Sequence, residues 1–221
     1  MQEFHLERCK YTGGELLRFV VAYTGAQLSE WDQRASFLRH LRRFGVPNAE
    51  GIRRGPGAQY RYADLFQLAV ASEMAESGMT VAAAARIVTR GWNTGLSEVP
   101  QRVRAALAAH HRQALLLVVS RTGFDGFELS PTIQAWSFMD AAVTFDGSAT
   151  HVEIMWAPDF FGSDFFAVDL RQPSPFAQQR RIVVNLSRVV QAVDGLAANV
   201  EALNALPAPD EGTNAAGRSR R

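Results

Sequence analysis

The chain has 221 residues, enough for one sizeable core and for one or two domains, with 47% hydrophobic and 20% charged residues as in an ordinary globular protein. No apolar run approaches the roughly 20 residues that span a bilayer, and "MQEFHLERCK" has no signal-peptide pattern, so a soluble cytoplasmic protein is expected. A single cysteine, Cys9, excludes an intramolecular disulfide framework and a multi-cysteine metal site.

The net charge of +1 is unevenly spread. Residues 1–92 carry 12 basic against 9 acidic side chains, and residues 93–207 carry 8 against 11. The span 26–62 alone holds seven arginines and three acids, and Lys10 is the one lysine of the chain. Arginine suits bidentate contact with phosphate and guanine.

The first predicted helix is "GGELLRFVVAY", interrupted at Thr24-Gly25. A second is predicted from about Gln27 to Phe44, where Leu28, Trp31, Ala35, Leu38 and Leu41 recur at steps of three and four. Arg34, Arg39, Arg42 and Arg43 lie mostly off that stripe, and Gly45 with Pro47 ends the helix. Ile52 to Arg54, a Gly-Pro-Gly turn and Gln59 to Tyr62 predict a small basic, aromatic hairpin. A third helix opens at Ala63 or Asp64, with Leu65, Leu68, Ala69, Ser72 and Met74 along it, and stops at Gly78. Thr80 caps a fourth, "VAAAARIV". The turn formers of "TRGWNTGLSEVP" predict a domain boundary near residues 91–100.

Beyond Pro100 a helix passes into a β-branched run, and "IQAWSFMDAAVTF", "THVEIMWAP", "FFAVDLR" and "RRIVVN" read as strands. His151, Glu153 and Met155 alternate with Val152, Ile154 and Trp156, the pattern of a half-buried strand. A last helix places Leu186, Val189, Val193, Leu196, Val200 and Leu203 at coiled-coil spacing, interrupted by Gly195. The tail is polar and rich in Pro and Gly, the composition of a disordered segment. The fold class expected is therefore α+β: a mostly helical winged helix-turn-helix over 1–92, an α+β unit over 100–207 ending in a long helix, and a disordered tail over 208–221.

The helix, Thr-Gly turn, helix and basic hairpin point to duplex DNA. A helix-turn-helix sets its second helix in the major groove, and a hairpin wing carrying arginine reaches the flanking backbone. The stretch "RRGPGAQYRYADLFQLAVASEMAESGMTVAAAARIV", Arg53 to Val88, resembles the MerR family of winged-helix transcription regulators. Its tyrosine-arginine wing ending, aspartate-leucine helix start, glycine turn and Thr-capped helix carry the likeness. "YTGGEL", "YTGAQLSEWDQR" and "LRRFGVP" are similar to that family's opening helix, its turn with recognition helix, and the close of that helix. The resemblance covers residues 11–90. It departs from the family in a longer second helix and in Glu30 and Asp32, which oppose phosphate.

The resemblance implies a homodimer on a near-palindromic site, and the heptad-like stripe of the last helix agrees with self-association. Expected major-groove residues are Gln27, Ser29, Gln33 and Arg34. Expected wing contacts are Arg53, Arg54, Gln59, Tyr60 and Arg61, with Arg39, Arg42 and Arg43 as secondary phosphate ligands or surface charge. Two alternatives stand beside this: an adaptor that docks a regulatory protein through a degenerate winged helix, and a sensor of a small-molecule effector.

No cofactor, metal or catalytic role is expected. His5 and Cys9 are two ligands, too few for a metal site, and His110 and His111 diverge on a helix. Asp159, Asp164 and Asp169 have no nucleophile or base beside them and read as turn and edge residues. No GxGxxG, Walker, GxSxG or HExxH pattern occurs. Trp136, Phe138, Phe145, Trp156, Phe160, Phe161, Phe165 and Phe166 either form the core of the second unit or a dimer interface, or line a pocket for an apolar effector.

Overall fold

The computed structural model describes residues 10–47, 58–93, 95–109, 114–122, 143–145, 148–156, 180–199 and 204–206. Of the residues singled out above, His5, Cys9, Ile52, Arg53, Arg54, the Gly-Pro-Gly turn expected at the hairpin, His110, His111, Trp136, Phe138, Asp159, Phe160, Phe161, Asp164, Phe165, Phe166, Asp169, Val200 and Leu203 lie outside them, as does the tail. The strand expected over 165–171 lies outside them too, with most of the one expected over 133–145.

Helix α1 (Gly13–Thr24) is closed at both ends by its own sequence. The Thr12 hydroxyl accepts from the Glu15 N–H at 3.3 Å, and the Glu15 carboxylate accepts in return from the Thr12 N–H at 2.6 Å. That reciprocal bond satisfies two donors the helix cannot use. Gly25 ends α1 in the left-handed region at φ +63°, which favours glycine, and the Ala26 N–H donates to Val21 C=O at 3.1 Å. Leu16, Phe19, Val20 and Val21 are buried.

Helix α2 (Trp31–Arg43) starts later than its apolar spacing predicts, because a 3-10 turn, Leu28–Glu30, precedes it. The Glu30 carboxylate accepts from the Gln27 N–H at 3.0 Å while the Glu30 N–H donates to Gln27 C=O at 2.9 Å, and these bonds tighten the turn. Gln27 and Ser29 therefore stand ahead of the α-helix. Gly45, at φ +83°, lets the Val46 N–H reach back to Leu41 C=O and end α2.

Helix α3 (Tyr62–Glu76) begins one residue before Ala63, with Arg61 as its N-cap. The sequence suggests a one-sided apolar stripe, but Phe66, Gln67, Val70 and Ala71 are buried alongside Leu65, Leu68, Ala69, Ser72 and Met74. A helix apolar on all sides belongs in an interior, and α3 is the centre of this one. It packs on α1, on α4 (Val81–Trp92) and on α6 (Leu186–Ala198). The Thr80 hydroxyl caps α4 by accepting from the Ala83 N–H at 3.3 Å.

The stretch 91–100, read from sequence as a boundary, contributes to this core. A 3-10 turn, Leu96–Glu98, leads directly into α5 (Val99–Ala108), and Leu96 and Val99 are fully buried. The apolar residues among the turn formers are what hold it in. An antiparallel sheet follows in the order β2-β3-β1-β4, formed by β1 (Leu115–Thr122), β2 (Val143–Phe145), β3 (Ser148–Trp156) and β4 (Arg180–Asn185). Register sets Leu117 opposite both Ile154 and Val184, and these three are buried on one face, in keeping with the alternation seen in β3. The fold is α+β.

Asn185 caps α6 by accepting from the Arg188 N–H at 3.0 Å. The coiled-coil spacing of this helix serves the chain's own interior, since Leu186, Val189, Val190, Val193 and Ala197 are buried in one cluster with residues of α1, α3, α5 and β1. Of the stripe's described residues, Leu186, Val189 and Val193 are thus covered within the chain and Leu196 is partly covered. Among the described residues no helix is long and apolar enough to cross a membrane.

Candidate nucleic-acid interface

Trp31, Leu38 and Leu41 turn α2 inward, which leaves Asp32, Gln33, Ser36, Arg39, His40, Arg42 and Arg43 on its outer side. Arg39, Arg42 and Arg43 follow an i, i+3, i+4 pattern and so share one side of the helix end. Cations there also complement the negative end of the helix dipole. Among the described residues none of the three makes an ion pair. Gln27 is likewise exposed.

Arg34 behaves differently. It is half-buried and pairs with Glu76 of α3 at 3.2 Å, with its Nε buried. Its guanidinium is engaged by Glu76 and so links α2 to α3. Nearby, the Tyr23 hydroxyl donates to Glu73 at 2.8 Å and joins the end of α1 to the same end of α3. Because the Arg34–Glu76 pair is partly solvated, Arg34→Ala is expected to cost no more than about 1 kcal/mol in a denaturant melt.

Residues 58–60, which follow Gly55-Pro56-Gly57 in sequence, run beside the start of α1. Tyr60 and Tyr11 form an antiparallel bridge with two N–H···O bonds of 2.8 Å each. Tyr60 is only 8% exposed, so its ring is part of the framework and not a wing tip contact. The Arg42 guanidinium lies 5.4 Å from the centre of that ring, within cation–π range, and its Nη2 is 3.8 Å from where a Cβ on Gly13 would stand. Gln59 and Arg61 on either side are exposed. Helix α2, the start of α1 and the 59–61 strand thus meet at Arg42, and Arg39, Arg43, Gln59 and Arg61 supply polar groups from two of those elements. Arg53 and Arg54, expected in the same wing, are outside the described residues.

Asp64 sets the direction of that strand. Its carboxylate accepts from the Arg61 N–H at 2.6 Å, and the Asp64 N–H donates to Arg61 C=O at 2.9 Å. Burial raises the Asp64 pKa above its ordinary 3.8, against the lowering effect of the Arg61 N–H and charge. The folded chain therefore holds this proton more tightly than the unfolded chain. Its contribution to stability is fully present below 3.8 and is lost as pH rises through the folded value. Asp64→Asn keeps an acceptor for the Arg61 N–H and removes the titration. The stability of the parent minus that of Asp64→Asn is expected to fall as pH rises, in melts taken from about pH 3 to pH 7.

Two groupings were not legible in the sequence. One is the Arg42–Tyr60 stack. The other joins three elements: Arg104 of α5 makes a two-pronged pair with Asp194 of α6, Nε to Oδ2 at 3.0 Å and Nη2 to Oδ1 at 2.7 Å, and lies 4.6 Å over the Tyr62 ring. The hydrogen bond to Asp194, offset in part by burial, raises the Arg104 pKa, so its charge is permanent. No local pattern signals a pair 90 residues apart.

Comparison with protein-family models, with curated protein sequences and with solved structures finds no match to the chain.

Proposed function

We propose that the chain is a DNA-binding transcription regulator, with a winged helix-turn-helix like that of the MerR family in its amino-terminal part. The observation that carries this reading is the set Arg39, Arg42 and Arg43, on one side of α2 and without ion pairs among the described residues, with Arg42 lying over Tyr60 between exposed Gln59 and Arg61. The Gly25 turn between α1 and α2 agrees with a helix-turn-helix, as does the Tyr11–Tyr60 bridge with a wing root. Gln27, Ser29 and Gln33 are the polar side chains at the entry to α2 and are the base-reading candidates. Arg34 and Tyr60 become framework. Arg61 and Gln59, with Arg53 and Arg54, remain the wing contacts. A homodimer on a symmetric site would need a face other than that of Leu186, Val189 and Val193 on α6.

Selection of bound duplexes from a random pool tests this directly. Enrichment of a defined motif is expected, and its symmetry and half-site spacing give the stoichiometry. A pool that stays random, with no retention on heparin, would favour the protein-docking alternative. Exposed Asp32 in the first turn of α2, which opposes phosphate, is the observation on that side.

A further inference from the structure

We propose that Arg104 and Asp194 are positioning residues for the wing, holding its root to helix α6 so that the residues flanking Tyr60 are presented in a fixed orientation. The proposal rests on the DNA-binding reading for its purpose, though not for its geometry.

Helix α6 reaches Tyr11 directly and, through Arg104, reaches Tyr62, two residues after Tyr60. On one side the Tyr11 hydroxyl reaches the Ala197 carbonyl at 3.5 Å, a long bond. On the other, Asp194, three residues before Ala197 and so on the same side of α6, holds Arg104 by two short bonds. Arg104 in turn covers the ring of Tyr62, the residue after Arg61 and the first of α3. The Tyr62 hydroxyl is buried beside this pair, and burial together with the neighbouring Asp194 carboxylate raises its pKa. The flat guanidinium covers the ring from one side and ties it to Asp194. Stacking plus a forked pair needs arginine. Lysine would keep the charge but offers neither the flat face nor the fork.

Reduced stability alone would change the exchange of every amide together, whereas a released grip acts locally. Amide exchange at Tyr11 and Tyr60, which donate the two bridge bonds, reads the wing root, and Leu68 in the middle of α3 reads the core. Asp194→Asn and Arg104→Lys are each expected to speed exchange at Tyr11 and Tyr60 by roughly tenfold or more while Leu68 changes far less. Val189→Ala, which destabilises α6 without touching the clasp, is expected to leave the ratio between wing root and core as in the parent. On duplex DNA, both clasp variants are expected to bind less tightly and with a shallower salt dependence, because a loosened wing neutralises fewer phosphates.

Exchange at Tyr11 and Tyr60 that rises only in step with Leu68 would overturn the proposal, as would faster exchange with an unaltered salt slope. If Asp194→Asn does not fold, Arg104→Lys carries the same comparison. A parent protein that binds no duplex would remove the DNA-binding reading, and the exchange ratios would still decide whether the clasp orders the wing root.

Discussion

Replacing Phe66 by Ala is expected to cost about 3–5 kcal/mol, the range for truncating a buried aromatic in a close-packed core. Phe66 is fully buried at the second turn of α3, and its ring lies 6.4 Å from that of Trp92 at the end of α4. The cost has two parts, the transfer of the deleted ring carbons and the cavity left behind. The cavity will not collapse easily, because α3 is enclosed by α1, α4 and α6. Against a typical total of about 5–15 kcal/mol this is a large fraction. The urea midpoint should fall with the slope unchanged if unfolding remains two-state. Phe66→Leu, which fills more of the volume, should cost distinctly less. Leu107→Ala provides the contrast: Leu107 is 44% exposed, and its replacement should stay within about 0.5 kcal/mol. A Phe66→Ala effect as small as that of Leu107→Ala would mean that α3 is not the centre of the core.

The triple variant Arg39→Ala, Arg42→Ala, Arg43→Ala is expected to weaken binding to every duplex tested and to flatten its salt dependence. Every phosphate that the variant fails to neutralise takes roughly 0.9 off the slope of log K against log salt. The side chains lie on the outer side of α2, so the variant should fold. Arg42 should contribute in two ways, through its own charge and through the Tyr60 ring that it covers. Arg42→Lys is therefore informative, since it keeps the charge and weakens the flat stacking interaction. Gln33→Ala should behave differently from the triple variant, changing preference among sequences while leaving the salt slope nearly intact. A triple variant with the parent's slope would show that this side of α2 does not meet phosphate, and the DNA-binding proposal would fail with it.

The position of Arg34 narrows the set of contacts for an instructive reason. On a helical projection Arg34 is merely off the apolar stripe, as are Arg39 and Arg42. What separates them is Glu76, 42 residues later in the chain and brought alongside only when α2 and α3 both dock on α1. Tyr60 separates in the same way. A tyrosine beside an arginine at an expected hairpin end looks available in sequence, but Tyr60 is bridged to Tyr11 and buried.

What the amino-acid sequence determined by itself was local. The Thr80 cap, the glycine stops at 25, 45 and 78, and the periodicities of α2, β3 and α6 all arise from bonds and steric limits within a few residues, so they can be read from a few residues, and the Thr12 and Asn185 caps found in the structure are local in the same way. Tertiary structure decided which apolar and charged faces were already taken. It buried α3 on every side, drew Leu96 and Val99 into the core, used the heptad-like face of α6 within the chain, and joined Arg104 to Asp194 across two helices. Those outcomes depend on partners far away in sequence, and the pairing of a surface is a property of both sides, of which a local pattern describes only one.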